Sequence, residues 1–263
     1  MPSLKLTVLG SGTSTGVPVL GCHCDVCTST DPRNNRTRCS ALIEWGGHKV
    51  LIDTATDFRQ QALRERIDRL DAVLFTHAHA DHVHGIDDLR TFSLRGGQPI
   101  PVYASGDVLD RIRGLFSYIF SDHEAPGYRP RLDVRQVDGP FRLFGQRVIP
   151  IPLLHGPGTS LGYRIGNLAY VVDCNAIPEH SWPLLEGLEV LVIDALRFRE
   201  HAAHFSVSQA IAVARRLQVP RTLLTHLTHD IDYRQHADSL PEGIAFAYDG
   251  QSLMVPLPAD DGH

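Results

Sequence analysis

The stretch Thr76-His77-Ala78-His79-Ala80-Asp81-His82 decides how this chain is read. It follows Ala72–Phe75, a short apolar run with the character of a buried strand. Four good metal ligands fall within one short loop, which cannot aim all of them at a single ion. His77 and His79 stand two apart and can share one metal, while the adjacent Asp81 and His82 can turn toward a second. Oxygen and imidazole donors in this mixture suit a pair of divalent cations.

The loop supplies too few ligands for two ions, so others must come from elsewhere in the chain. Three candidates sit at the ends of predicted strands: His155 after Ile149–Leu154, Asp173 after Tyr170–Val172, and His226 after Leu223–Thr225. A strand-end His or Asp is ordinarily a cap or turn residue, and these three gain weight because the loop needs partners. The count then closes with His77, His79 and His155 at one metal and Asp81, His82 and His226 at the other. Asp173, with two oxygens, bridges them.

A second constellation lies near the start. Cys22, Cys24 and Cys27 read C-x-C-x2-C in a loop rich in Gly, Asp and Thr, and thiolates at this spacing can surround a zinc on three sides. His23 is too constrained by its neighbours to complete the set, whereas His229 lies on the same loop as His226. Choosing His229 puts a structural zinc beside the catalytic pair. Cys39 and Cys174 lack such partners and read as buried small hydrophobes.

The chain has 263 residues, 43% hydrophobic and 21% charged, as in ordinary globular proteins. Its net charge of −5 excludes a strongly basic nucleic-acid binder. No apolar run is long enough for a membrane helix. The opening MPSLKLTVLG is too short and too charged for an export leader, so a cytoplasmic location is expected. Five cysteines, three of them close together, favour metal binding over a disulfide framework in that setting.

Strands are expected at Lys5–Leu9, Ala41–Trp45, Lys49–Asp53, Ala72–Phe75, Pro101–Ala104, Arg147–Pro152, Gly162–Ile165, Ala169–Val172, Leu188–Ile193 and Thr222–Leu224. Helices are expected over Phe58–Arg66 and Val207–Leu217. A closing hairpin is expected from Ile244–Tyr248 and Gln251–Val255 around an Asp249-Gly250 turn. No low-complexity linker divides the chain, which predicts a single domain over 1–263 with two sheets, outer helices and a zinc-binding loop near 21–39.

H-x-H-x-D-H after a strand, followed by isolated His, Asp and His, resembles the metallo-β-lactamase-fold hydrolases over nearly the whole length, including the LGSGTSTGVP opening and the LIDTATD segment. The resemblance implies an α/β architecture, a four-layer αββα sandwich with a dinuclear site at one edge of the sheets. It also implies that Asp53 orients metal ligands from behind. The Cys3His set narrows it: the chain is similar to the PhnP-type phosphodiesterases of the carbon–phosphorus lyase pathway, which act on a phosphoribosyl cyclic phosphate. In that group the three cysteines and the second His of T-H-x-x-H hold a structural zinc, matched here by Thr225-His226-Leu227-Thr228-His229. The same comparison points to His204 as the catalytic histidine, with His201 as the alternative three residues away, and it implies a homodimer.

The expected activity is metal-dependent hydrolysis of a small, cyclic phosphodiester. A hydroxide shared by two zinc, manganese, iron or nickel ions attacks phosphorus, Asp81 helps to hold it, and His204 protonates the leaving alkoxide. The alternatives are an RNA 3′-end-processing nuclease, a thioester or lactone hydrolase on the same fold, or a non-catalytic metal-binding protein. The expected partner is a small-molecule phosphodiester, with neither membrane nor nucleic acid. His84, Asp87, Asp88 and Arg90 follow the metal loop at helix-like spacing and could face a pocket or solvent. Arg129–Arg135 reads as an edge strand, and Asn34, Asn35 and Arg36 as a turn or a substrate contact.

Overall fold

The computed structural model describes residues 2–121 and 127–258, so both ends of the expected 1–263 domain lie outside the described residues. The first sheet contains β1 (Ser3–Gly10), β2 (Ser40–Trp45), β3 (His48–Ile52), β4 (Ala72–Leu74), β5 (Ile100–Ala104) and β6 (Leu132–Gln136) in chain order. The second contains β7 (Phe141–Leu143), β8 (Gln146–His155), β9 (Gly158–Ile165), β10 (Leu168–Val171), β11 (Val190–Asp194), β12 (Arg221–Thr225) and β13 (Ile244–Phe246). The last strand, β14 (Ser252–Pro256), returns to the outer edge of the first sheet beside β1. In sheet one the β3–β4–β5–β6 run is parallel, and in sheet two the β10–β11–β12–β13 run is parallel.

Alternation along the strands explains the layering. In β4 Ala72 and Leu74 point into the sandwich, while Val73 points outward. In β11 Val190 and Val192 face the sandwich, and Leu191 and Ile193 face the outer helix layer. Strands buried on both faces read as continuous apolar runs, which is why these segments were legible. The outer layer on sheet one is formed by α1 (Phe58–Arg64), the short α2 (Ala80–Val83), α3 (Leu89–Gly96) and α4 (Gly106–Leu115). On sheet two, α5 (Val207–Arg216) buries Val207, Ala210, Val213 and Ala214, at helical spacing. Its start is fixed by a capping box between Ser206 and Gln209. A last short helix, α6 (Tyr233–His236), precedes β13. The result is the αββα sandwich. Among the described residues no helix is long and apolar enough to cross a membrane.

The closing hairpin is corrected by the structure. β13 pairs in parallel with β12, and β14 pairs with β1, so the chain crosses from one sheet to the other at Asp249-Gly250. The Asp-Gly pair gives the same local signal as a hairpin turn, but the Asp249 carboxylate is captured by distant partners. It accepts hydrogen bonds from the Ser11 backbone N–H and hydroxyl (2.9 and 2.8 Å) and from those of Thr37 (2.9 and 2.6 Å). These bonds pin the glycine-rich segment after β1 to the sheet edge. Arg129–Arg135 behaves as expected, with β6 at the edge of sheet one. Asp249→Ala strands these donors in a side-chain environment only 7% exposed and should lower unfolding stability by about 2–3 kcal/mol in urea titrations. Asp110→Ala, at an exposed side chain, should shift it by no more than about 0.5 kcal/mol.

Candidate active site

Parallel strands present their carboxyl ends on one side, and in this fold those ends from both sheets converge. Asp53 follows β3, the His77 loop follows β4, Asp173 follows β10, Asp194 ends β11, and His226 follows β12. His155 ends β8 from the antiparallel half. Open α/β sheets bind ligands at this kind of edge because backbone and side-chain polar groups are left there without sheet partners.

The residues expected from sequence meet in the expected groups. His77, His79, His155 and Asp173 offer ligand atoms within 4.8 Å of one another, as do Asp81, His82, Asp173 and His226. Asp173 belongs to both sets. Its Oδ2 lies 3.0 Å from His77 Nε2 and 2.9 Å from His82 Nε2, and its Oδ1 lies 2.9 Å from His226 Nε2. Nε2 of His77, His82 and His226 is buried, yet none of these nitrogens makes a hydrogen bond. Donor atoms packed this closely without hydrogen-bond geometry fit a shared cation. His155 Nε2 and His79 Nδ1 stand 3.3 Å apart, close to the roughly 3.3 Å edge between two imidazole ligands of one tetrahedral zinc.

Three of the rings are oriented from behind. His82 Nδ1 donates to Asp53 Oδ2 at 2.7 Å. The Thr76 hydroxyl also donates to Asp53 Oδ2, at 2.7 Å, which leaves its oxygen to accept from His77 Nδ1 at 3.0 Å. His155 Nδ1 donates to the Ala203 carbonyl at 2.9 Å. In all three rings Nδ1 therefore carries the proton, and the Nε2 lone pair faces the site, as metal ligation requires. Burial pulls the His155 and His79 imidazoles below their usual range and so favours the neutral, ligating form. For His82 and His226 burial opposes charge too, but the Asp173 carboxylate outweighs it and raises both.

Three of the turning residues pay in backbone conformation: Asp53, Asp173 and His226 have φ of 61°, 56° and 60°. Left-handed geometry costs a non-glycine residue about 1–2 kcal/mol, and side-chain oxygens hold two of the three in place. Ser40 Oγ donates to the Asp53 carbonyl at 2.8 Å, and Ser160 Oγ to the Asp173 carbonyl at 2.7 Å.

His204 lies beside this centre, with Nδ1 2.9 Å from Asp194 Oδ2. His201 is exposed, and its ring centroid is 5.2 Å from that of His204. Asp194 escaped the sequence reading, which ended that strand at Ile193; an acid closing a buried strand, as at Asp173, was the available signal. Arg90 turns away from the site to pair with Asp87 at 3.5 Å, and His84 packs edge-on against Phe116. Asn34 is buried and bonds Ser29 and Asp232, which makes it a structural joint. A cavity of about 560 Å³ opens from His77, His79 and His155, with Asp107 and Arg111 of α4 on another part of its wall. That helix was not expected from sequence, so neither were these residues.

Cys22, Cys24 and Cys27 surround His229 Nδ1, with Sγ–N distances of 3.3, 3.5 and 3.4 Å. A tetrahedral zinc with ordinary Zn–S and Zn–N bonds sets this edge at about 3.5 Å. A backbone N–H from Cys27 pulls the Cys24 thiol down to about 7, which favours the ligating thiolate. Asp53→Asn should weaken metal uptake about 10–100-fold in chelator-competition titrations, because an amide has one acceptor oxygen for the Thr76 N–H, the Thr76 hydroxyl and His82 Nδ1, and turns a donor toward the rest.

The family of the beta-lactamase superfamily domain matches residues 48–227. The crystal structure of a new diphosphatase from the PhnP family is similar over 97% of this chain and 98% of that one, with 41% identity and a TM-score of 0.91. An octanoyltransferase of Porphyromonas gingivalis is 42% identical over 96% of this chain, and the chain spans about half (52%) of that relative's length. Zn²⁺-bound PqqB from Methylobacterium extorquens shares the fold at 20% identity, covering 95% of this chain and 99% of that one with a TM-score of 0.77. With the ligand-bearing strand ends inside the matched segment, the chain belongs to the beta-lactamase superfamily domain family, as a metallo-β-lactamase-fold hydrolase close to PhnP.

Proposed function

We propose that the chain is a metal-dependent phosphodiesterase acting on a small phosphodiester, with two divalent cations at the His/Asp clusters and one zinc at the Cys3His cluster. The observation that carries this reading is Asp173, which engages imidazoles from two ligand sets beside a histidine held by its own carboxylate. The similarity to a PhnP-family diphosphatase supports phosphorus chemistry. Cations at the clusters, whether zinc, manganese, iron or nickel, would supply Lewis acidity and lower the pKa of water.

His204 is the proton donor in this reading. Asp194 accepts from its Nδ1, which leaves Nε2 to deliver a proton to the departing alkoxide. Asp81 orients the attacking water. Burial works against its charge, but the facing His226 and His82 hold its carboxyl well below the usual carboxylate range, so it acts as an acceptor. The cavity lies within the size range of small-molecule sites. Arg111 on its wall offers a guanidinium to an anionic diester, while a net charge of −5 offers little to a folded RNA. Both features favour a small substrate over RNA.

Metal-stripped protein reloaded with Mn²⁺ or Zn²⁺ should hydrolyse bis(p-nitrophenyl) phosphate in preference to the monoester or a thioester. His204→Ala should lower kcat about 10²–10⁴-fold with little change in KM. Cleavage of the thioester alone would remove phosphorus chemistry from the reading. Arg111→Ala should act on the other parameter, raising KM for the diester several-fold.

A further inference from the structure

Arg36 is the largest fully buried side chain described, with 1% exposure. Among the described residues it forms no ion pair. Its guanidinium is spent on four neutral oxygens: the carbonyls of Arg33 (3.1 Å), Thr228 (2.8 Å) and Ile231 (2.7 Å), and Asn34 Oδ1 (2.9 Å). Burial pulls its pKa down to about 10. A buried cation on carbonyls alone is a costly arrangement, so what it grips is informative.

Thr228 and Ile231 straddle His229 and follow His226 directly, so one planar group holds a segment that serves both metal clusters. The rest of that segment is tied by the buried side chains of Leu227 and Ile231, by an Arg199–Asp230 ion pair at 3.5 Å, and by backbone bonds: Leu227 N–H to the Ser11 carbonyl, Thr13 N–H to the Leu227 carbonyl, and Thr228 N–H to the Leu196 carbonyl. Arg36 itself belongs to the cysteine loop. Its backbone exchanges two hydrogen bonds with Val17, of 2.7 and 2.9 Å, and Val17 packs in one small apolar cluster with Val26 and Cys27. The left-handed His226 stands at the head of the gripped segment, where conformation must be imposed from outside.

We propose that Arg36 is a positioning residue that couples the two metal clusters: it fixes the His226–Ile231 segment so that metal held on the thiolates and His229 stiffens His226 as a ligand of the neighbouring centre. The inference rests on the metal-ligand reading given above and adds a linkage between the sites. Lysine cannot replace the fork, because a point charge on a flexible stem cannot satisfy carbonyls on two sides. Methionine fills the volume and leaves the oxygens unpaired.

Cobalt separates the two sites spectroscopically, since thiolate ligation gives intense near-ultraviolet charge-transfer bands and His/Asp ligation only weak visible ones. Arg36→Met reloaded with Co²⁺ should retain the thiolate bands while its His/Asp cluster binds cobalt at least about tenfold more weakly against a chelator. Arg36→Lys should recover only part of that loss. Cys24→Ser, which leaves the buried guanidinium untouched, should abolish or shift the thiolate bands and also weaken the His/Asp cluster several-fold. Wild-type affinity at the His/Asp cluster in either Arg36→Met or Cys24→Ser would overturn the coupling. Equal weakening of both clusters in Arg36→Met, together with a lost thermal transition, would overturn it in favour of general structural support. Wild-type protein that takes cobalt on its thiolates alone would overturn both the coupling and the metal-ligand reading beneath it.

Discussion

The Asp173 carboxylate is the contact around which the working edge of the molecule is arranged. A buried carboxylate is tolerated only with charge or strong donors around it, and the three imidazole nitrogens that Asp173 gathers at 2.9–3.0 Å are placed to share cations with it. His77 and His82 follow a strand of the first sheet, while Asp173 and His226 follow strands of the second. The apolar layer between the sheets holds them through a non-directional attraction, which is by itself nearly indifferent to small slides of one sheet over the other. The carboxylate is not indifferent: a displacement of an ångström would separate its two oxygens from their partners. The polar edge therefore fixes the relative placement that the hydrophobic sandwich leaves soft.

That edge is held from behind as firmly as from within. Asp53 collects the Thr76 N–H, the Thr76 hydroxyl and His82 Nδ1, so one carboxylate sets two ring orientations, one directly and one through a hydroxyl. Asp194 does the same for His204 and also accepts the Cys174 N–H at 3.1 Å. Groups aimed before substrate arrives need no reorganisation during reaction, which is where electrostatic catalysis draws its advantage. The left-handed turns at Asp53, Asp173 and His226 are the cost of that aim, and they occur where strands must stop and send a side chain sideways.

These constraints also explain what the sequence disclosed. The grouping of the strand-end residues was legible because metal chemistry restricts residue type, and because a dense H-x-H-x-D-H loop creates a demand for partners; the structure brings those residues together. The sandwich was legible from strands such as Val190–Asp194, which are apolar on both faces. Asp249 was misread because its turn signal is local whereas its hydrogen bonds reach back to Ser11 and Thr37. Arg36 was read as a turn residue or a substrate contact because sequence cannot distinguish a solvated arginine from one whose donors close on carbonyls far along the chain. The helix bearing Arg111 carries Val108, Leu109 and Ile112 at helical spacing, a periodic signal that the sequence reading passed over.

The division between legible and hidden follows a division of labour. Residues at strand ends are fixed by the sheets, and the side chains gathered there are of the types that metal chemistry selects. The far wall of the cavity comes from α4 and from Pro157, Gly158 and Thr159 at the join of β8 and β9, and on α4 neither sheet pairing nor the His/Asp clusters restrict the choice of side chain. Asp107 and Arg111, one helical turn apart on that wall, can change without disturbing Asp173 or the rings it gathers. On the proposed reading, selectivity among substrates is thus free to move on the helix while the His/Asp clusters stay put. A fold built this way places the His/Asp clusters on its rigid strand ends and leaves the shape of the cavity to a helix that can vary apart from them.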